Sequence, residues 1–153
     1  MPKQILVESA VRAFRFTSQA PWACISIASQ TDYWPEISAA NRLGLLQIAF
    51  MDANSSDTAD SDEVFSEQHA HQVLDFVKQH WPRLELLLVH CEIGRCRGSA
   101  VAAAISRLYL GHDEQFFLPG LYQPNPLVYR TLMATASKRG EISPCPGSGS
   151  AGE

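Results

Sequence analysis

The segment of this chain best equipped to do chemistry is His90-Cys91-Glu92-Ile93-Gly94-Arg95-Cys96-Arg97-Gly98-Ser99, which contains a cysteine, five residues, then an arginine. A loop that short can wrap the backbone N–H groups of Glu92, Ile93, Gly94, Arg95, Cys96 and Arg97 around one tetrahedral anion. A helix that follows it adds the positive end of its dipole. Gly94 supplies a position without side-chain bulk, where the chain can turn and approach the anion closely. Arg97 can then hold two phosphate oxygens in a bidentate fork. The same surroundings favour the Cys91 thiolate, because helix N-termini and cationic neighbours lower cysteine pKa values to ~3.5–7.5. These residue types suit attack of Cys91 on a phosphate ester. That reaction needs one more group, an acid that protonates the departing oxygen and later activates water.

Asp52 is the expected acid, because it follows the run LLQIAF and opens the polar, acidic stretch from Ala53 to Glu63, a solvated loop in composition and a candidate mobile flap. Asp57, Asp60 and Asp62 are weaker candidates in that stretch. Leu84 to Val89, LELLLV, is the most strand-like run, apolar enough to be central in a parallel sheet, and it delivers the chain to His90-Cys91. Ala23 to Ala28 and Leu43 to Phe50 read as two further buried strands. Between Phe65 and His80 the residues Ala70, Val73, Leu74 and Val77 recur at helical spacing; Ser61 or Asp62 is the expected cap and Trp81-Pro82 the stop. Gly98 to Leu110 is an alanine-rich buried helix ending before Gly111, and a last helix is expected from Leu127 to Lys138. Alternating strands and helices predict an α/β fold with a central, mostly parallel sheet flanked by helices. Ligands bind beyond the carboxyl ends of such strands, and Asp52 and Cys91 each lie just past one.

The 153 residues suit one domain, expected over residues 1–142, with a Pro/Gly/Ser tail over residues 143–153 expected to be disordered. Apolar residues at 46% and charged residues at 18% suit a globular chain. A net charge of -4 gives no basic footprint, so nucleic acid is not an expected partner. The N-terminal segment is interrupted by Glu8, Arg12 and Arg15, unlike a signal peptide, and no run reaches the ~18 apolar residues of a membrane helix. Cys24, Cys91, Cys96 and Cys145 lack the density of a disulfide scaffold, so free thiols in a cytoplasmic setting are expected.

HCEIGRCRGS resembles the phosphate-binding signature of the protein tyrosine and dual-specificity phosphatase superfamily: His-Cys, two residues, Gly, two residues, Arg, then Ser or Thr. LLQIAFMD looks like the strand and general-acid aspartate that precede this signature, with Asp52 on the aspartate. Gln123-Pro124-Asn125 looks like the segment after the signature helix, where the Asn braces the site. The resemblance runs from about Cys24 to Lys138 and looks closest to small stand-alone bacterial members. It implies a tyrosine-phosphatase-like fold of the dual-specificity type, and a phosphorylated protein or small phosphate monoester as substrate. It also implies a cysteinyl-phosphate intermediate with Cys91 as nucleophile, Arg97 as clamp and Asp52 as acid then base, needing no metal and no organic cofactor.

Two features depart from the family. The hydroxyl residue that follows the signature Arg is replaced by Gly98, with Ser99 one position later. In the family that hydroxyl bonds the cysteine sulfur and helps it leave, so turnover should be slower unless Ser99 substitutes. Inside the loop stand Ile93, Arg95 and Cys96, where small or neutral residues are commoner. Arg95 resembles the basic loops of phosphatases acting on inositol lipids, and a Cys91–Cys96 disulfide would switch the enzyme off reversibly. Three alternatives follow: a non-catalytic phosphate-binding pseudophosphatase, a phosphoinositide phosphatase, and a rhodanese-like sulfurtransferase. His90 is expected to be a buried hydrogen-bonding group. His69, His71 and His80 are expected on a solvated helix side with no shared metal-binding face. Cys24, Trp22 and Trp81 read as packing residues, and Trp34-Pro35 as a border of the cleft. The sequence leaves the oligomeric state open.

Overall fold

The computed structural model describes residues 3–29, 34–53 and 64–141. In chain order these form strand β1 (Gln4–Ser9), helix α1 (Ala10–Phe14), strands β2 (Trp22–Ala28) and β3 (Arg42–Ala49), helix α2 (Glu67–His80), strand β4 (Leu86–Cys91), helix α3 (Arg97–Leu110), a 3-10 turn (Glu114–Phe117) and helix α4 (Pro126–Lys138). The four described strands are parallel and lie in the order β1-β4-β2-β3. The expected α/β architecture is thus present, and the LELLLV segment supplies an interior strand.

Period-two alternation divides the strands between two layers. Ala23, Ile25 and Ile27 of β2, with Leu87, Val89 and Cys91 of β4, face the large core formed with α2, α3 and α4. Trp22 and Cys24, with Leu88 of β4, face a smaller cluster on the other side with Ala13 of α1. Both faces of the interior strands are therefore covered, which explains why they read as unbroken apolar runs. Trp22 is fully buried and its Nε1–H donates to the Ala40 carbonyl at 2.8 Å. Burial also pushes the Cys24 thiol up to about 12, leaving it an unreactive core residue.

Strand β1 is not among the expected strands; its run QILVES is half-buried at one edge of the sheet. Its pairing with β4 from Gln4↔Leu86 to Ser9↔Cys91 is a long-range contact that local propensity does not report. Helix α2 starts later than expected. Ser66, not Ser61 or Asp62, caps it, its hydroxyl accepting from His69 N–H while its own N–H donates to His69 Nδ1 at 3.0 Å. His69 therefore turns back to the helix start and stacks on Phe65, with ring centroids 5.5 Å apart. His80 also leaves the solvated side: a Cβ on Gly44 would meet its ring at 2.5 Å, so it packs over β3. Only His71 keeps the expected surface place, 3.6 Å from the exposed Glu67 carboxylate.

Helix α3 ends as the sequence indicates, on Gly111 at φ 86°. Among the described residues no helix is long and apolar enough to cross a membrane, and no cluster of three or more His, Cys, Asp or Glu could hold a metal ion. Asp57, Asp60, Asp62 and the rest of the expected flap from residue 54 to 63 lie outside the described residues, as do Cys145 and the tail.

Candidate active site

Cys91 is the last residue of β4 and is 3% exposed. Its Sγ accepts the N–H of Gly94 at 3.2 Å and the N–H of Gly98 at 3.3 Å. An amide N–H can donate only to a lone pair, so the loop and the first turn of α3 both treat this sulfur as an acceptor. His90, one residue earlier, points to the opposite face of the sheet. There its Nε2 lies 2.6 Å from Ser26 Oγ, on the adjacent strand and in register with it. Burial pushes His90 down to about 4, so its ring is neutral near pH 7.

The loop keeps its shape through main-chain geometry. Gly94 has φ 85°, and a Cβ there would lie 2.7 Å from the Glu8 carbonyl carbon and 2.8 Å from Ser9 N. It therefore packs onto the β1–α1 junction, which also holds the loop by the Ala10 N–H to Glu92 O bond of 3.3 Å. On the other side Gln123 N–H donates to Arg95 O and Asn125 N–H to Cys96 O, both at 2.9 Å.

Asn125 is 1% exposed and does three further things. Its Oδ1 caps α4 by accepting Val128 N–H at 3.2 Å, and its Nδ2 donates to Asp52 Oδ1 at 2.7 Å and to Ala53 O at 3.0 Å. One buried amide thus connects the loop, the helix behind it and the aspartate across from it. Arg97 opens α3 and is 5% exposed. Its Nη1 donates to Phe50 O at 2.9 Å and to Ser29 Oγ at 3.0 Å.

These residues meet in a cleft of about 410 Å³ at the carboxyl ends of β2, β3 and β4. Asp52, Cys91, Glu92, Ile93, Arg95, Cys96 and Arg97 all line it. Ser29 and Met51 line it too, and sequence reasoning missed both; the position of Ser29 just past β2 is the signal that would have found it. Gly94 supports the cleft from behind and is not among its lining residues. Neither are Trp34 and Pro35, which border a separate groove with Val11 and Phe14 of α1. Ser99 does not reach the sulfur: its hydroxyl donates to the carbonyls of Arg95 and Cys96. Cys96 is a free, half-buried thiol pushed up by burial and by the negative ends of Asp52 and Cys91, against the pull of Arg95 and Arg97.

A cysteine under two amide donors and an arginine at the foot of the following helix suit an oxyanion ligand, and Asp52 lines the same cleft. The fold is that of the tyrosine-phosphatase-like proteins of the dual-specificity type. A mouse putative dual specificity phosphatase complexed with zinc tungstate superimposes with a TM-score of 0.61 at 17% identity, over 92% of this chain and 88% of that one. Human DUSP28 gives a TM-score of 0.58 at 16% identity, over 89% and 93%. PTPMT1 gives 0.56 at 14%, over 88% and 90%, and has also been solved in complex with PI(5)P. No protein-family model and no curated protein matches the sequence.

Proposed function

We propose that this chain is a cysteine-dependent phosphatase that hydrolyses phosphate monoesters, with phosphotyrosine-containing protein as its preferred substrate. The observation that carries the proposal is the pair of N–H donors on Cys91 Sγ, at the floor of a cleft that Arg97 and Asp52 also line. The phosphoryl group sits between the loop amides and the Arg97 fork. The Cys91 thiolate attacks phosphorus as the ester P–O bond breaks, and Asp52 gives its proton to the leaving oxygen. Asp52 then takes a proton from water, which attacks the cysteinyl phosphate and returns the sulfur as thiolate and the product as inorganic phosphate. Asn125 holds the Asp52 carboxylate in place for both steps.

The preference for aryl phosphates rests on Met51 and Ile93, apolar side chains that line the cleft and are 41% and 71% exposed. They suit the flanks of a phenyl ring better than a serine or threonine methylene. A second substrate, a phosphoinositide, is favoured by the exposed Arg95 on the same rim and by the PI(5)P bound to PTPMT1.

Burst and steady-state hydrolysis of p-nitrophenyl phosphate by the wild type, Cys91→Ser and Asp52→Asn tests the mechanism. Cys91→Ser is expected to be inactive while still binding tungstate, and Asp52→Asn to lose ~10²–10⁴ in rate. Equal rates in all three proteins would reject it. Phosphotyrosine peptide and phosphoinositide assayed side by side separate the two substrates. Oxyanion binding without turnover would make the chain a phosphate reader, and thiocyanate formation from thiosulfate and cyanide would make it a sulfurtransferase.

A further inference from the structure

Ser29 has no place in the signature loop, yet it reaches the residue on which phosphate binding depends. It lies just beyond β2, at the exposed lip of the cleft, and its Oγ accepts a hydrogen bond from the buried Arg97 at 3.0 Å. The donor is Nη1, the atom that also donates to Phe50 O at 2.9 Å. A guanidinium carries five N–H groups in a fixed plane: two on Nη1, two on Nη2 and one on Nε. Two acceptors on Nη1 therefore satisfy both of its hydrogens. Among the described residues neither Nε nor Nη2 has an acceptor, and those two atoms form one straight edge of the fork.

We infer that Ser29 is a positioning residue: with the Phe50 carbonyl it locks Arg97 through Nη1, so that the Nε–Nη2 edge faces the oxyanion. The two anchors come from different strand ends. Phe50 follows β3 and Ser29 follows β2, so the guanidinium plane is fixed at two points on the sheet. Removing one anchor leaves rotation about the Nη1–Phe50 contact unopposed, and the bidentate geometry is then populated only part of the time. The inference rests on the phosphate-binding reading of the cleft, though not on turnover.

The side chain is exposed and lies outside both core clusters, so its truncation leaves the packing intact. Ser29→Ala is expected to weaken tungstate binding about tenfold, the usual size of one hydrogen bond to a charged group, and to lower kcat/KM for p-nitrophenyl phosphate by a similar factor with an unchanged melting temperature. Ser29→Thr, which keeps the hydroxyl, should restore both. Tungstate titration of the wild type, Ser29→Ala, Ser29→Thr and Cys91→Ser, followed by calorimetry, reads this without any catalysis.

Equal affinities in Ser29→Ala and the wild type, or a Ser29→Thr as weak as Ser29→Ala, would overturn the inference while leaving the phosphatase reading standing if the wild type still turns over. The expected affinity pattern in a wild type without turnover would uphold the role of Ser29 and remove the phosphatase reading. A wild type that binds no tungstate would remove both.

Discussion

Gly98 stands where a side chain would touch the Cys91 sulfur: a Cβ built on it lies 3.4 Å from Sγ and 3.3 Å from Val7 Cγ1. The first contact is ordinary packing, and the second needs Val7 to yield by a few tenths of an ångström. Ser99 cannot compensate, because its hydroxyl is committed to the carbonyls of Arg95 and Cys96. Sulfur therefore has two amide donors and no hydroxyl donor among the described residues when it must leave phosphorus.

Gly98→Ser should supply that donor and speed breakdown of the cysteinyl phosphate by about tenfold, the size of one hydrogen bond to a charged group. The readout is the ratio of burst to steady-state rate with p-nitrophenyl phosphate. In the wild type the burst should stand out and in Gly98→Ser it should shrink; an unaltered ratio would show that another step limits turnover.

Asn125 touches Asp52 and the start of α4 with its side chain and the loop with its main chain. Asn125→Ala removes the α4 cap, at a cost of about 1 kcal/mol, and also frees the Asp52 carboxylate. The activity loss should travel through Asp52. In a double-mutant cycle Asn125→Ala is expected to lower kcat roughly tenfold in the wild type and much less in Asp52→Asn. Equal losses in the two backgrounds would place the role of Asn125 elsewhere.

What the sequence made legible was whatever depends on a few consecutive residues. The apolar run before Cys91, the glycine-terminated α3 and the position of Asp52 past its strand all have local signals, and the structure has them in place. What it concealed depends on contacts across the sheet. β1 is a short edge strand whose pairing partner lies more than eighty residues away. Ser26 and Ser29 look like ordinary strand and turn serines until the register sets the first against His90 and the fold brings Arg97 to the second. His69 misled for a related reason: the 3.6-residue period puts it toward solvent, but a capping role at the first turn folds it back.

Gly94→Ala should disable the loop through its backbone, without removing any side chain that lines the cleft. The new Cβ would press on the backbone of Glu8 and Ser9, which cannot rotate away as a flexible side chain can, and φ 85° is unfavourable for alanine. The loop must shift, taking the Gly94 N–H off the Cys91 sulfur. Tungstate affinity is expected to fall more than tenfold, together with a loss of about 1–3 kcal/mol in urea unfolding. Wild-type affinity in Gly94→Ala would mean that the loop can form without this close approach.

Burial of the His90 ring gives stability a pH dependence whose sign is fixed. Burial pushes His90 down to about 4 in the folded chain from the ordinary histidine value of 6.5, so between those values the unfolded chain binds more protons. The stabilisation is fully present above pH 6.5, declines as pH falls, and is exhausted below about 4. The difference of pKa corresponds to on the order of 3 kcal/mol across that window. His69 and His80 are also lowered by burial, so the contribution of His90 must be read against a variant. Urea unfolding of the wild type and His90→Gln at pH 7 and pH 5 gives that comparison. The wild type should lose more stability on acidification, by about 2 kcal/mol at pH 5, and equal losses would mean that His90 is charged in the folded chain.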